Sequence, residues 1–199
     1  MEKKILSLFL YKNKLKFNEI EKELNVRSNK LAYHLKNLIK EGILKKEEEE
    51  YELSEASEFL IPYISEKNST LAVVLVHLGD TENVFLCKRE KRPFKGKLGL
   101  PGGRILVGES VKEASERVMK KFGIKAKFNK INSVSLEHVK KSKRKIHSFL
   151  LIFVSVTSKD KDNLLNINKN KKAIISSDYT LLKKDLNKNI KIRTVYSSS

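Results

Sequence analysis

The residues whose types and spacing suit chemistry lie in the middle of the chain. Gly103 is followed after five residues by Glu109, and Glu109 is followed after seven residues by Arg117. Two more carboxylates, Glu113 and Glu116, stand between Glu109 and Arg117. Carboxylate oxygens are ligands for hard cations such as Mg²⁺, and an arginine can anchor a carboxylate. The segment therefore has the residue types of a cation or phosphate site.

The stretch around these residues resembles a known family. KREKRPFKGKLGLPGGRILVGES, residues 88–110, is similar to the approach to the Nudix box, in which a Pro/Gly loop leads into Gly-Gly and then Gly-Glu. In that family the box continues to an Arg-Glu pair, a Glu-Glu pair and a final Gly, and Gly103, Glu109 and Arg117 match it at full spacing. The resemblance implies a Nudix domain over residues 69–199, an α/β/α sandwich with a mixed sheet, whose degenerate box covers residues 102–124.

The box departs from the family at its metal-binding positions. Val118 stands where the family has the glutamate after the arginine, and the Glu-Glu pair is replaced by Lys121 together with a one-residue deletion. Valine offers no ligand for Mg²⁺ or Mn²⁺, and Lys120 and Lys121 repel a cation. We therefore expect no catalytic residue, no metal ion and no cofactor.

Other residues of the box have structural explanations. Glu113 is expected to pair with Ser110 in a capping box, because Ser-x-x-Glu begins a helix there. Arg117 is expected to form an ion pair that anchors the preceding loop. Gly103, Glu109 and Arg117 are thus interpreted as residual box positions.

Retained catalysis is the alternative. Some Nudix proteins recruit a glutamate from elsewhere in the chain, and Glu137 is the candidate here. The chain would then be an active Nudix hydrolase that cleaves a nucleoside diphosphate linkage, and Mg²⁺ would be its cofactor. One glutamate does not rebuild a site of several ligands, so the non-catalytic interpretation is preferred.

A cleft that loses its cation and keeps its basic residues can still bind an anionic nucleotide. For each residue taken singly, the alternative is an ordinary solvated position. The candidate ligand-binding residues are Arg89, Arg92, Lys97, Gly102, Gly103 and Arg104.

The amino-terminal third has a pattern of helices and short strands that is typical of a DNA-binding domain. We expect helices over 3–13, 18–24, 28–40 and 54–64, the third capped by Ser28, and short strands at 43–46 and 51–53. SNKLAYHLKNLIKEGILKK, residues 28–46, resembles the recognition helix and first wing strand of ArsR- or MarR-type regulators. The resemblance implies a winged helix-turn-helix domain over residues 1–66, with its third helix in the major groove.

The third predicted helix has two different faces. Leu31, Leu35 and Leu38 form an apolar face, which turns the polar residues outward. His34 is interpreted as structural, and the acidic wing tip, residues 47–50, is expected to point away from the phosphates of DNA. The candidate DNA-binding residues are Arg27, Ser28, Asn29, Lys30, Tyr33, Lys36 and Asn37.

Beyond a polar boundary at residues 65–69 the pattern changes from helices to strands. We expect strands over 70–78, 84–88, 131–136 and 146–157, the first two as antiparallel partners, and a helix over 111–122. Residues 140–145 and 160–172 are expected to be loops. The predicted fold class is α+β.

The charge of the chain is unevenly distributed. The net charge is +18, yet residues 1–66 hold 12 Lys and Arg against 13 Asp and Glu. The basic excess therefore lies in the Nudix-like half, where it favours polyanionic partners. A lysine-rich, solvated surface is the alternative.

The remaining bulk features point to a cytoplasmic protein with no membrane partner. No apolar run reaches the length of about 18 residues that a membrane span needs, and the start lacks the pattern of a secretory signal. The single cysteine, Cys87, cannot form an intrachain disulfide. A homodimer is expected, with Phe59, Leu60 and Ile61 as contacts.

These patterns predict a transcriptional regulator. Its partners would be a double-stranded DNA operator and a nucleotide-type effector such as ADP-ribose, because Nudix domains fused to winged helices are known as regulators of this kind. The alternatives are the active hydrolase and a scaffold that binds RNA or protein through the basic surface.

Overall fold

The structure, a computed structural model, describes residues 1–64, 69–159 and 163–197. The chain divides into two compact units, Met1–Ser69 and Thr70–Ser199. The predicted boundary, residues 65–69, lies outside the described residues except for Ser69.

The amino-terminal unit consists of short helices and a small antiparallel sheet. Strand β3 lies between β1 and β2 and is antiparallel to both. The elements are α1 (Glu2–Leu8), β1 (Lys14–Lys16), α2 (Phe17–Leu24), α3 (Ser28–Lys40), β2 (Leu44–Glu47), β3 (Glu50–Leu53) and a 3₁₀ helix (Glu55–Tyr63).

Helix α3 confirms the predicted bounds, and its apolar face is buried. Leu31, Leu35 and Leu38 are almost fully buried and pack with residues of α1, α2 and the small sheet. Gly42, just beyond the helix, has a φ of +71°, a left-handed conformation that glycine adopts at little cost. The apolar spacing thus fixes which side of α3 faces solvent.

Three predictions for this unit were wrong in detail. Arg27, not Ser28, occupies the N-cap position of α3 and makes no side-chain capping hydrogen bond, and the Ser28 hydroxyl instead donates a hydrogen bond to Glu21. The first helix ends at Leu8, and β1 was not predicted. The fourth helix is a 3₁₀ helix, and the side chains of Phe59 and Ile61 lie outside the described residues.

The second unit is built on a mixed four-stranded sheet. The strand order is β8-β4-β10-β9, with β4 parallel to β10 and the other neighbours antiparallel. The elements are β4 (Leu71–His77), β5 (Asn83–Phe85), β6 (Cys87–Lys88), β7 (Leu98–Gly99), β8 (Gly102–Arg104), α4 (Val111–Lys120), β9 (Lys127–Lys141), β10 (Arg144–Thr157), β11 (Leu164–Asn166) and α5 (Ser176–Lys184).

The two faces of this sheet are covered by different helices. Successive side chains of a strand point to opposite faces, so Val74 of β4 packs in the same cluster as Val118 of α4. Its neighbour Leu75 packs in the cluster that contains Leu181 of α5. A helix on each face of a mixed sheet is the layered arrangement that the sequence predicted for this unit.

The pairing of the short strands differs from the prediction. The segment expected to pair with β4 forms β5 and β6 instead, which pair with β11 and β7 respectively. The neighbours of β4 are β8 and β10, which come later in the chain. Strand β11 lies inside a stretch expected to be a loop, and most of residues 140–145 belongs to the β9–β10 hairpin.

Candidate functional site

Arg117 and Glu109 form a partly buried ion pair at the start of the candidate site. The Arg117 Nη2 atom donates to Oε2 of Glu109 at 2.8 Å and to the carbonyl of Arg104 at 2.8 Å, and its Nε donates to Oε1 of Glu109. The backbone N–H of Leu106 donates to the same carboxylate at 3.0 Å. The hydrogen bonds from Arg117 hold the pKa of Glu109 below its ordinary value. The expected loop anchor is therefore present.

Glu113 is engaged at the beginning of α4. Its carboxylate accepts hydrogen bonds from the backbone N–H of Ser110 at 2.8 Å and from the Ser110 hydroxyl at 2.7 Å. The hydroxyl oxygen in turn accepts from the backbone N–H of Glu113 at 3.2 Å. The predicted capping box is confirmed, and this carboxylate stabilises the helix start.

Glu116, the third carboxylate of the segment, also accepts a hydrogen bond within the protein. Its Oε1 atom accepts a hydrogen bond from the backbone N–H of Phe128 at 3.1 Å. Glu109, Glu113 and Glu116 are thus each committed to a different partner within the protein.

Val118 replaces the family's glutamate with a core side chain. It has no solvent exposure, and its Cγ2 atom lies 2.8 Å from the place that a Cβ on Gly103 would occupy. Gly103 is therefore needed for the close approach of β8 to α4. The following Lys120 and Lys121 are exposed.

The side chains of this segment do not fit a divalent cation. Mg²⁺ requires oxygen ligands in nearly octahedral geometry. Within residues 1–64, 69–159 and 163–197, no three or more His, Cys, Asp or Glu side chains are grouped so that they could hold a metal ion. The nearby lysines would oppose one electrostatically.

A small cavity lies on the other side of the main sheet. Its volume is about 50 Å³, and its walls are largely apolar and aromatic, with three charged side chains among them. The residues that line it are Val73, Leu75, Arg89, Pro93, Phe94, Glu137, Phe149, Leu151, Ile175 and Asp178.

Of the acidic and basic side chains that line this cavity, Asp178 is the one whose pKa differs most from its ordinary value. It is 4% exposed, and its Oδ2 atom accepts a hydrogen bond from the backbone N–H of Leu100 at 2.8 Å. Burial raises the pKa of Asp178 to about 7, and the charge of Glu137 acts in the same direction. A Cβ on Gly99 would lie 2.8 Å from Oδ2, so only glycine permits this approach. Near neutral pH this side chain can both donate and accept hydrogen bonds.

The structure brings together only part of the predicted ligand-binding set. Arg89 lines the cavity, and the loop after Arg92 supplies Pro93 and Phe94. The Lys97 Nζ atom instead donates to the carbonyl of Lys172 at 3.1 Å.

The other three predicted ligand-binding residues, Gly102, Gly103 and Arg104, form β8 and are not among the residues that line the cavity. Sequence reasoning did not single out Asp178, Phe94 or Phe149. The sequence carries no local signal for them, because the cavity forms only when distant segments meet.

The polar face of α3 is the second candidate site. Arg27, Asn29, Lys30, Tyr33 and Lys36 are exposed, whereas Asn37 is partly buried. The side chain of Ser28 is tied to Glu21, which reduces its availability to a ligand.

His34 lies next to this face. Its Nδ1 atom lies 3.1 Å from Oε1 of Glu2 in α1, so its partner within the protein is on another helix. Its ring also contacts Tyr33 edge-on, with ring centroids 5.3 Å apart.

Two carboxylates of the β2–β3 wing are paired with lysines, which offsets part of the negative charge that its sequence indicates. Lys14 of β1 lies 3.2 Å from Glu47 and 3.3 Å from Glu52, and Lys45 lies 2.9 Å and 2.6 Å from the same two carboxylates. Hydrogen bonds from the lysines hold the pKa values of both glutamates below their ordinary range. Sequence reasoning missed this network because it did not predict β1.

None of the helices in the described part of the chain is long and apolar enough to cross a membrane.

Comparison with known proteins identifies the second unit. Residues 68–177 match the profile of a family described as NUDIX domain. No curated protein matches the chain.

Three solved structures illustrate the likeness. A NUDIX hydrolase from Nitrosomonas europaea is 19% identical, with 60% of this chain and 71% of that chain covered and a TM-score of 0.49. The MutT protein from Methanosarcina mazei is 16% identical, with 60% and 95% covered and a TM-score of 0.47. The NUDIX domain of Shewanella oneidensis NrtR, solved with ADP ribose, is 14% identical, with 66% and 96% covered and a TM-score of 0.47.

Proposed function

The chain belongs to the Nudix family, and from that premise we propose that it is a DNA-binding transcriptional regulator whose Nudix domain binds a nucleotide-type metabolite without hydrolysing it. The observation that carries the proposal is that the Nudix-box segment has no carboxylate free to bind a cation in the way the family does. Glu109, Glu113 and Glu116 are each committed to a protein partner, and Val118 is buried where the family has a glutamate.

The donor set supports a loss of hydrolysis. To use Glu109 or Glu113, Mg²⁺ would have to displace Arg117 or Ser110, which hold α4 and its preceding loop, and Glu116 alone supplies too few oxygen ligands. Lys120 and Lys121 would add repulsion, since the interaction of like charges at short distance is unfavourable. Binding without turnover is what such a domain retains.

The ligand class is argued from the cavity. Phe94 and Phe149 offer aromatic surface, Arg89 offers positive charge, and Asp178 can donate and accept hydrogen bonds near neutral pH. These features suit a planar heterocycle joined to phosphates, as in ADP-ribose. A volume of about 50 Å³ is too small for a whole nucleotide. We therefore expect the loop that carries Phe94 to move on binding and the phosphates to remain outside.

DNA binding is argued from the amino-terminal unit. We assign residues 1–66 as a winged helix-turn-helix, because α2 and α3 are joined by a short turn and followed by the β2–β3 ribbon. The apolar face of α3 is buried, which leaves Lys30, Tyr33 and Lys36 exposed for phosphates and base edges. A homodimer would present two such helices to a palindromic operator.

An active hydrolase is the second candidate, and one observation favours it. Glu137 and Asp178 line the same cavity, so two carboxylates outside the box face one space. Burial keeps Asp178 largely protonated below about pH 7, however, and a protonated carboxyl is a poor cation ligand.

The deciding experiment combines thermal unfolding with product analysis. The unfolding midpoint of the full chain is measured with ADP-ribose, with and without Mg²⁺, and AMP release is followed in the same samples. A ligand-dependent rise that does not need Mg²⁺, with no AMP release, is expected, because a ligand that binds the folded state stabilises it. Arg89→Gln should reduce the rise, and Lys112→Gln, on the exposed side of α4, is its matched control.

Mg²⁺-dependent AMP release above the background would contradict the proposal and favour the hydrolase.

A further inference from the structure

The β9–β10 hairpin extends beyond the main sheet. Strand β4 pairs with β10 only from Phe149 to Ser155, so residues 144–148 of β10 pair with β9 alone. We name this two-stranded projection, residues 138–148, the basic arm. At about 3.3 Å per residue, five residues of its second strand extend about 16 Å.

The basic arm is densely cationic. All of residues 140–147 are exposed, and the arm contains no Asp or Glu. Among the described residues, none of the arm's lysines or its arginine takes part in an ion pair. Its cationic residues are Lys140, Lys141, Lys143, Arg144 and Lys145.

The register of the hairpin places like charges opposite each other. Lys140 is paired with Lys145, and Lys141 is paired with Arg144. Directly opposed residues share a face and successive pairs alternate between faces, so both faces of the arm are positive. Like charges in opposed positions destabilise a hairpin. Binding of a polyanion would relieve this repulsion.

We propose that the basic arm is a second DNA contact, which binds the phosphate backbone of double-stranded DNA independently of α3. The shape of the arm favours a duplex, because the major groove of B-form DNA admits a two-stranded β-ribbon. The basic arm contains no Phe, Tyr or Trp, and its only rings are the imidazoles of His138 and His147 at its base, whereas proteins that bind single strands use aromatic stacking platforms along the groove. The major groove of A-form RNA is too deep and narrow for such a ribbon.

The basic arm gives the Nudix unit a role in DNA binding that the recognition helix does not supply. Phosphate contacts position a protein on DNA without reading sequence, so the arm adds affinity rather than specificity. Because the arm lies in the second unit and α3 in the first, DNA binding by the arm can be tested separately from DNA binding by α3.

The test measures binding of the full chain to a labelled DNA duplex of arbitrary sequence by fluorescence anisotropy over a range of salt concentrations. The arm variant carries Lys141→Gln, Lys143→Gln and Arg144→Gln. The matched control carries Lys112→Gln, Lys183→Gln and Lys184→Gln, which remove the same charge from exposed positions of α4 and α5.

The arm variant is expected to bind about tenfold more weakly, with a salt dependence smaller by about two to three in logarithmic slope, since each phosphate contact contributes about 0.9. The control should lose less than about threefold. A variant with Lys141→Arg and Lys143→Arg keeps the charge and should bind like the unchanged protein. The unfolding midpoint of the arm variant should not fall, because neutralisation removes repulsion.

Equal losses in the arm variant and the control would overturn the proposal, because general charge would then explain binding. Tighter binding to single-stranded or duplex RNA, lost in the arm variant, would also overturn it.

Discussion

Arg117 donates two hydrogen bonds to Glu109 and so joins α4 to the loop that precedes it. The guanidinium also holds the carbonyl of Arg104 at the end of β8. The carboxylate that best matches the family's box is therefore a structural ligand of arginine. This contact ties the start of α4 to the end of β8.

Arg117→Ala should destabilise the second unit. The side chain of Arg117 is 29% exposed and that of Glu109 is 12% exposed, so the pair is only partly screened by solvent. We expect a loss of about 1–3 kcal/mol in the free energy of unfolding, measured with urea, because a charged group loses its partners. Arg117→Lys should restore only part of this, since lysine lacks the planar fork.

The control for this prediction is Lys112→Ala, on the exposed side of the same helix, with an expected effect within about 0.5 kcal/mol. The pair also has a pH signature. Because the folded-state pKa of Glu109 lies below its unfolded value of 4.5, its contribution is present above that pH and is lost as pH falls through the folded pKa. Equal pH profiles in acid for the unchanged protein and Glu109→Gln would contradict this.

Val118→Glu should destabilise the second unit and should not produce Mg²⁺-dependent hydrolysis. Val118 is fully buried in the cluster with Val74 and Met119, so a glutamate there would lose its hydration without a partner. We expect destabilisation of about 3–5 kcal/mol by urea unfolding and no Mg²⁺-dependent AMP release from ADP-ribose.

Val118→Ile, which keeps the apolar character, is the control for that substitution and should cost far less. Mg²⁺-dependent turnover by Val118→Glu would show that the segment tolerates a metal site, which would contradict the structural argument.

Asp178 should make the protein less stable as the pH rises towards neutrality. Its folded-state pKa of about 7 lies above the ordinary value of 3.8, so the folded state holds a proton that the unfolded state releases. Its stabilising contribution is therefore full below about pH 4 and is lost as pH rises through about 7. The loss is on the order of a few kcal/mol, since a change of one in pKa corresponds to about 1.36 kcal/mol.

Asp178→Asn should remove this slope, because the amide oxygen can still accept from the Leu100 N–H and carries no charge. The variant is expected to be more stable than the unchanged protein at pH 8, and this advantage should shrink as the pH falls and disappear below about pH 4, as measured by chemical unfolding. Glu90→Gln, at an exposed position, is the control. Parallel stability profiles for Asp178→Asn and the unchanged protein would show that Asp178 does not titrate as described.

Local patterns predicted α3 and β10 well, whereas β9 (Lys127–Lys141) is much longer than the strand predicted over 131–136. The leucines Leu31, Leu35 and Leu38 span two turns, and α3 has the bounds predicted around them, Ser28–Lys40. The Ser110–Glu113 capping box and the Arg117 ion pair follow from residues close in sequence. By contrast β1, Lys14–Lys16, is only three residues long and shows too little alternation to be recognised.

The cavity was beyond such reasoning because long-range contacts create it. Asp178 becomes buried when α5 packs against Gly99 and Leu100, 78 residues earlier in the chain. Its sequence context is only that of an acidic residue in the first turn of a helix. Likewise, the strands that pair with β4 come later in the chain than its nearest strand, so the predicted hairpin is limited to an antiparallel bridge between Gly79 and Val84 just beyond β4.

Lys30→Ala together with Lys36→Ala should weaken binding to an operator in the DNA upstream of the protein's own coding sequence. Both lysines are exposed on the polar face of α3 and are assigned to phosphates. Removal of two phosphate contacts should lower affinity by about tenfold or more and reduce the logarithmic salt slope by about two, in a mobility shift or anisotropy assay. Tyr33→Phe, which removes only a hydroxyl, should instead change the preference between sequences, because base contacts carry specificity.

Lys3→Ala together with Lys4→Ala is the matched control, since it removes the same charge from exposed positions of α1. If the α1 and α3 variants lose affinity equally, α3 is not the recognition helix. Retention of sequence preference by all of them would place the specific contacts elsewhere. A loss confined to the α3 variants would connect this helix to operator binding, whereas a loss confined to the basic arm would leave DNA binding in the Nudix unit alone.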